Sequence, residues 1–233
     1  MLNSPVRVLF FTFLLTITFG LQSAVARIQM PENAGTFNRQ LVDSLDRIQG
    51  IKLQVSGGYL TTRAALPQIS PAWNPLSLTL PVTFTSASRI SRAARSLLFG
   101  AIQSPNVYKL QVTGNVPLGK AGRQFRLMEL NFSDISEIVY RGVPRGVFDS
   151  GMIFLHELIH LYLGLSDPSP EQAKQNPYVK GQTVEYMNQI ERELGLPERG
   201  HYYPVEISRN SRPRYSIFFG NNGGRIDLPD SLK

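Results

Sequence analysis

Residues 155–167 read LHELIHLYLGLSD and place two of the chain's three histidines, His156 and His160, four positions apart around Glu157. The surrounding stretch from Phe148 to Leu165 is apolar almost all round, which predicts a buried central helix. Asp149 is its expected N-cap and Gly164 its expected stop. In a helix, positions i and i+4 sit about 40° apart on one face. His156 and His160 therefore offer two imidazole nitrogens to one ion, with Glu157 on the shoulder of the same face. Zinc accepts such nitrogens, prefers four ligands and keeps one position for water in catalytic sites. A glutamate beside that water can take its proton and return it to a leaving amine. The bland alternative is two histidines satisfied within a packed helix. In so apolar a segment, unpaired histidines and a glutamate would be expensive to bury, and an ion supplies the compensation. Zn2+ is the expected cofactor, with Glu157 as the catalytic base.

A third protein ligand is needed, and three residues compete for the place. Metallopeptidases that draw it from a short downstream turn place glycine three residues after the second histidine and the ligand six after. Those positions here are Leu163 and Ser166, so Asp167 stands one residue out of register, in an Asp-Pro pair that also reads as a simple turn. His201 is the remaining histidine, isolated on a loop after Pro197, and reads better as solvated or core-satisfied than as a ligand. Glu185 is preferred: it begins a downstream helix in TVEYMNQIERELG and completes a His-His-Glu set. Against it, Glu185, Asn188, Gln189 and Arg192 form a polar stripe that would equally face water. Tyr202 is a candidate to donate its hydroxyl to a developing oxyanion. Its competing role, with Tyr203, is to pack a loop onto the core.

Outward from the motif, Leu41, Leu45 and Ile48 predict an amphipathic helix over 37–48, closed by Gly50. Alternation at Leu78, Leu80, Val82 and Phe84 predicts a strand, at a sheet edge because of Pro81. A short helix is expected over 88–98. Tyr108, Leu110 and Val112, and again Met128, Leu130 and Phe132, predict two more strands. Val184, Met187, Ile190 and Leu194 mark a second amphipathic helix that ends at Gly195 and Pro197. Two apolar runs around Asn-Asn-Gly-Gly near the C-terminus predict a hairpin. The expected class is α+β: a small mixed sheet packed on the buried motif helix and a second C-terminal helix.

The chain has 233 residues, no cysteine and a formal net charge of +7. Its first residues read as a secretory signal peptide: Arg7, an uncharged apolar run from Val8 to Phe19, and Ala24-Val25-Ala26 as the cleavage signal. That run falls well short of the roughly 20 residues a membrane-spanning helix needs. Removal after Ala26 is expected, leaving residues 27–233 as one domain, secreted or periplasmic, without stable membrane insertion. Losing Arg7 lowers the charge from +7 to +6. The basic residues are scattered apart from Arg209, Arg212 and Arg214, and no basic stripe interleaved with aromatics argues for nucleic acid. Without cysteine there is neither a disulfide nor a thiolate metal site.

HELIH followed by VEYMNQIERELGLPERGHYY resembles the NleD-like effector peptidases, a zincin family, over residues 148–203. The resemblance implies a zinc-dependent endopeptidase on a zincin-like α+β scaffold, with His156 and His160 as ligands and Glu157 catalytic. Asn188, Arg192, Arg199 and Tyr202 fall at motif positions of that family. Met187-Asn188 departs from it, since members often carry Glu-Asn there. The expected function is an exported zinc metallopeptidase acting on a protein or peptide. The alternative, a non-catalytic envelope protein with structural or vestigial zinc, predicts a closed coordination sphere and no cleft beside Glu157.

Overall fold

The computed structural model describes residues 28–63, 89–209, 212–220 and 224–229. The expected signal peptide and the expected strand over 78–84 lie outside the described residues.

The architecture is mixed α+β, in two sheets with helices. The larger sheet contains β1 (Ile28–Gln29), β2 (Leu53–Ser56), β3 (Tyr59–Thr62), β4 (Tyr108–Val112), β5 (Gly119–Gly122) and β6 (Leu127–Leu130). Its strand order is β2-β3-β1-β4-β6-β5. β1, β4 and β6 run parallel, whereas β5 turns back antiparallel on β6 and forms the edge. In β4 the expected alternation holds, with Tyr108 and Leu110 buried and Lys109 and Gln111 exposed. β6 stops at Leu130 because Asn131 caps a short helix. The Asn131 side chain accepts the Asp134 N–H, so Phe132 is helical rather than the strand residue expected.

The first helix, α1 (Gly35–Gln49), buries Leu41, Leu45 and Ile48 as their spacing demands and is closed at Gly50. The next, α2 (Arg92–Gln103), starts later than the expected 88–98 because Ser91 is the residue that caps it, accepting from Ala94 N–H. After the short α3 (Phe132–Glu137) comes α4 (Ser150–Leu158), the motif helix. It sits at the centre of the molecule, packed on α1, α2 and strands β5 and β6. Met152, Ile153, Phe154, Leu155 and Leu158 are all buried, and each such side chain contributes about 1.5–3 kcal/mol by leaving water. The short α5 (Pro170–Gln175) leads to α6 (Gly181–Leu194), which also packs on α2 and α4. Its Glu193 accepts from the Ser91 hydroxyl and the Ala93 N–H, so α6 helps to cap α2.

The second sheet holds β7 (Val139–Arg141), β8 (Val205–Arg209), β9 (Arg212–Phe219) and β10 (Gly224–Asp227) in the order β7-β10-β9-β8. β9 and β10 are the hairpin expected near the C-terminus. None of the helices among the described residues is long and apolar enough to cross a membrane.

Candidate metal centre

The site is built on the end of α4. Asp149 caps the helix as expected, accepting from Gly151 N–H at 3.0 Å and Met152 N–H at 3.1 Å. The Ser44 hydroxyl donates to the same carboxylate at 2.7 Å, which pins the helix start to α1. After nine residues the α-helix changes to a π turn over Ile159–Leu163, and Gly164 ends it in the left-handed conformation at φ 70°. A side chain would strain that φ, so the glycine suits the point where the chain folds back.

The fold-back delivers Asp167. His156 Nε2 and His160 Nε2 face each other at 3.3 Å. Asp167 Oδ2 lies 2.9 Å from His160 Nε2, and Oδ1 lies 3.6 Å from His156 Nε2. His156, His160 and Asp167 each present one ligand atom, all within 4.8 Å of one another. The structure thus groups Asp167, and not the expected Glu185, with the two histidines. Glu185 stands on the outer face of α6 with its side chain 59% exposed, 4.0 Å from Lys180. The physical reason is the π turn. A π turn closes its hydrogen bond over one residue more than an α turn, and this absorbs the single residue that put Asp167 out of register.

Two features give the cluster donors that could hold a cation. Asp167 Oδ1 is buried and has no hydrogen-bond partner among the described residues, a costly state for a carboxylate oxygen. His160 Nδ1 lies 2.8 Å from the carbonyl oxygen of Leu165. A carbonyl only accepts, so Nδ1 carries a proton, and whenever the ring is neutral Nε2 turns its lone pair towards Asp167 and His156. The loop that holds Asp167 is itself secured. Arg123 donates to the Gly164 carbonyl at 2.9 Å and to the Ser166 hydroxyl at 3.2 Å, and the Tyr203 hydroxyl donates to the Pro168 carbonyl at 2.9 Å.

The electrostatics follow from burial and from this cluster. Burial would raise the Asp167 carboxyl, but the nearby His156 and His160 rings outweigh it and hold it well below the usual carboxylate range. Burial lowers His156, partly countered by Asp167. His160 is raised on balance, because Asp167 and the Leu165 carbonyl overcome the opposing effect of burial. Glu157, 6% exposed, is pushed up to about 7 by burial, against the pull of His160.

Glu157 and His156 line a cavity of about 320 Å³ together with Gly119, Met187, Arg199 and Tyr202. Gly119 is the first residue of β5, and a Cβ there would come within 3.0 Å of Glu157 Oε1 and 2.9 Å of Ile153. The missing side chain therefore lets the edge strand approach the glutamate. Tyr202 stacks on His156 with ring centroids 6.1 Å apart, and burial followed by the Asp167 charge raises its hydroxyl, which stays protonated.

The remaining residues are placed as follows. His201 is 1% exposed and fully engaged: Nδ1 bonds the Tyr203 carbonyl, and Nε2 accepts the Phe218 N–H at 3.2 Å. Asn188, expected on a solvent-facing stripe, is buried and bonds both the N–H and the carbonyl of Arg199. Arg192 pairs with Glu198 at 2.7 Å on the surface. β5 escaped sequence reading because Gly-Lys-Ala-Gly has no apolar alternation and no β-branched residue.

No protein-family model, curated protein or solved structure matches the chain.

Proposed function

We propose that the protein is an exported zinc metallopeptidase of zincin-like architecture that hydrolyses a protein or peptide substrate. One observation carries this reading: His156, His160 and the unpartnered Asp167 oxygen converge beside a buried glutamate that opens into a cavity. The donor set of two imidazoles and a carboxylate suits zinc with one position left for water. A zinc ion held there would acidify bound water and polarise a carbonyl. The protein's own part is the rest. Glu157, beside the histidines and shielded from bulk water, takes the proton and delivers it to the departing amine. Charge from a bound cation opposes the burial that raises Glu157, favouring the ionised base. Tyr202, kept as a phenol above His156, donates to the oxyanion as it forms. The outer edge of β5, unpaired by any strand among the described residues, could take an extended chain, the mode of recognition by strand addition.

The non-catalytic alternative requires Glu157 to be sealed in. The cavity that Glu157 lines speaks against it. Replacing Glu157 with Gln removes the base while keeping the shape. Zinc content, measured by elemental analysis, should stay near one per chain, while casein or peptide hydrolysis falls by at least about 100-fold. Undiminished hydrolysis by Glu157→Gln would refute the assignment.

A further inference from the structure

The cavity beside Glu157 also reaches two buried charged side chains that the proposed hydrolysis does not use. Arg199 is 8% exposed and Glu191 is 2% exposed, yet both line a cavity whose other walls include Met152, Ile153, Met187 and Ile217. The Arg199 guanidinium is held rigidly. Its Nε donates to the His201 carbonyl at 2.8 Å and one Nη to the Tyr202 carbonyl. The rings of Phe148 and Tyr202 lie 5.5 and 5.4 Å from its carbon. Nη1 makes none of these bonds, and Arg199 is one of the residues that line the cavity. The guanidinium makes no ion pair with a carboxylate among the described residues.

Glu191 does not neutralise it. One Glu191 oxygen accepts the Arg199 backbone N–H at 2.9 Å, and burial raises the carboxyl to about 8. At neutral pH the glutamic acid is therefore mostly uncharged and can act as a hydrogen-bond donor. A fixed cation beside a neutral acid, in an apolar pocket, is a receptor for a carboxylate. An uncharged occupant leaves the guanidinium with backbone carbonyls and aromatic faces as its direct partners.

We infer that Arg199, assisted by Glu191, is a specificity residue that seats a carboxylate of the peptide substrate in the cavity next to Glu157. The inference rests on the peptidase reading for the word substrate, though not for the binding itself. A carboxylate reaches the pocket either on an acidic side chain or as a free C-terminus. The test uses zinc-loaded Glu157→Gln protein titrated calorimetrically with three short leucine-containing peptides. One has a free C-terminus, one is its C-terminal amide, and one is the amide with a glutamate introduced.

One of the two carboxylate peptides should bind about 10- to 100-fold more tightly than the neutral amide, as expected for a charge-assisted bond in a buried site. Which one does so identifies the source. Arg199→Met should remove the preference; Glu191→Gln, which keeps a neutral donor, should retain it. Equal affinity for all three peptides, or no binding by any at millimolar concentration, overturns the inference without recourse to variants that might not fold. A carboxylate preference together with wild-type protein that neither holds zinc nor hydrolyses peptide sinks the peptidase reading and leaves the subsite standing. A zinc-loaded hydrolase that binds the three peptides alike does the reverse.

Discussion

His160 and His201 begin from the same arrangement and end differently. Each ring is largely buried, and each places Nδ1 against a backbone carbonyl, Leu165 for one and Tyr203 for the other. At His201 the second nitrogen accepts the Phe218 N–H, so the ring is complete. At His160 the second nitrogen meets His156 Nε2 and the Asp167 carboxylate, one oxygen of which has no hydrogen-bond partner among the described residues. Burial of a histidine is thus uninformative by itself. What separates a core histidine from a ligand is whether the second nitrogen finds a donor in its own fold.

The largest break in that comparison is expected from truncating the two rings in turn. His160→Ala should lose stoichiometric zinc altogether and with it all hydrolysis, while keeping far-UV circular dichroism. His201→Ala should keep zinc at one per chain and lose about 1–3 kcal/mol of stability, because the half-buried Phe218 N–H is left without its acceptor. Elemental analysis and urea titration read the two effects separately. Zinc retained in the first variant, or lost in a folded form of the second, would reverse the roles assigned to the rings.

A sharper version sets Asp167 against Glu185. Asp167→Asn should weaken zinc binding by more than 10-fold in competition with a chelating dye, since an amide is a poorer ligand than a carboxylate and the charge is gone. Glu185→Gln should leave it unchanged, because that side chain stands in water beside Lys180. An Asp167→Asn protein with unaltered affinity would count against the centre as described.

How much of this was legible in the chain depends on what kind of signal each residue leaves. The motif helix, its Asp149 cap and its Gly164 stop are local, written in apolar density and capping chemistry. His156, Glu157 and His160 follow from spacing alone. The π turn leaves no such trace: IHLYL is apolar at nearly every position, so neither a 3.6-residue nor a longer period stands out in it. Without it Asp167 looks misplaced and Glu185, correctly spaced on a helix, looks attractive. The polar stripe on α6 misled for a related reason. Asn188 is on that stripe by composition, but its partners are the backbone groups of Arg199, eleven residues away in a loop that carries no periodic pattern. The cavity likewise depends on Gly119, whose role is a close approach that only the assembled sheet and helix create.

The smallest effect concerns pH and bears on the completed histidine alone. Burial, with a lesser contribution from Arg199, lowers the His201 pKa below its ordinary 6.5. The folded ring stays neutral because protonation would turn the Nε2 acceptor into a donor facing the Phe218 N–H. In the unfolded chain the ring takes a proton near 6.5, so the unfolded state binds more protons as pH falls. The stability due to His201 is therefore fully present above about pH 7 and is lost as pH drops through 6.5 towards the folded value. Glu191, raised to about 8, works in the opposite sense: its contribution is whole below 4.5 and is lost as pH rises towards 8. Comparing wild type with His201→Gln at the same zinc content cancels Glu191 and the metal ligands. The difference between the two unfolding free energies should shrink below pH 6.5 by up to about 1.4 kcal/mol per unit. A difference that stays flat from pH 8 to 5 would mean that His201 is protonated as readily in the fold as in water, and that its bond to Phe218 does not hold.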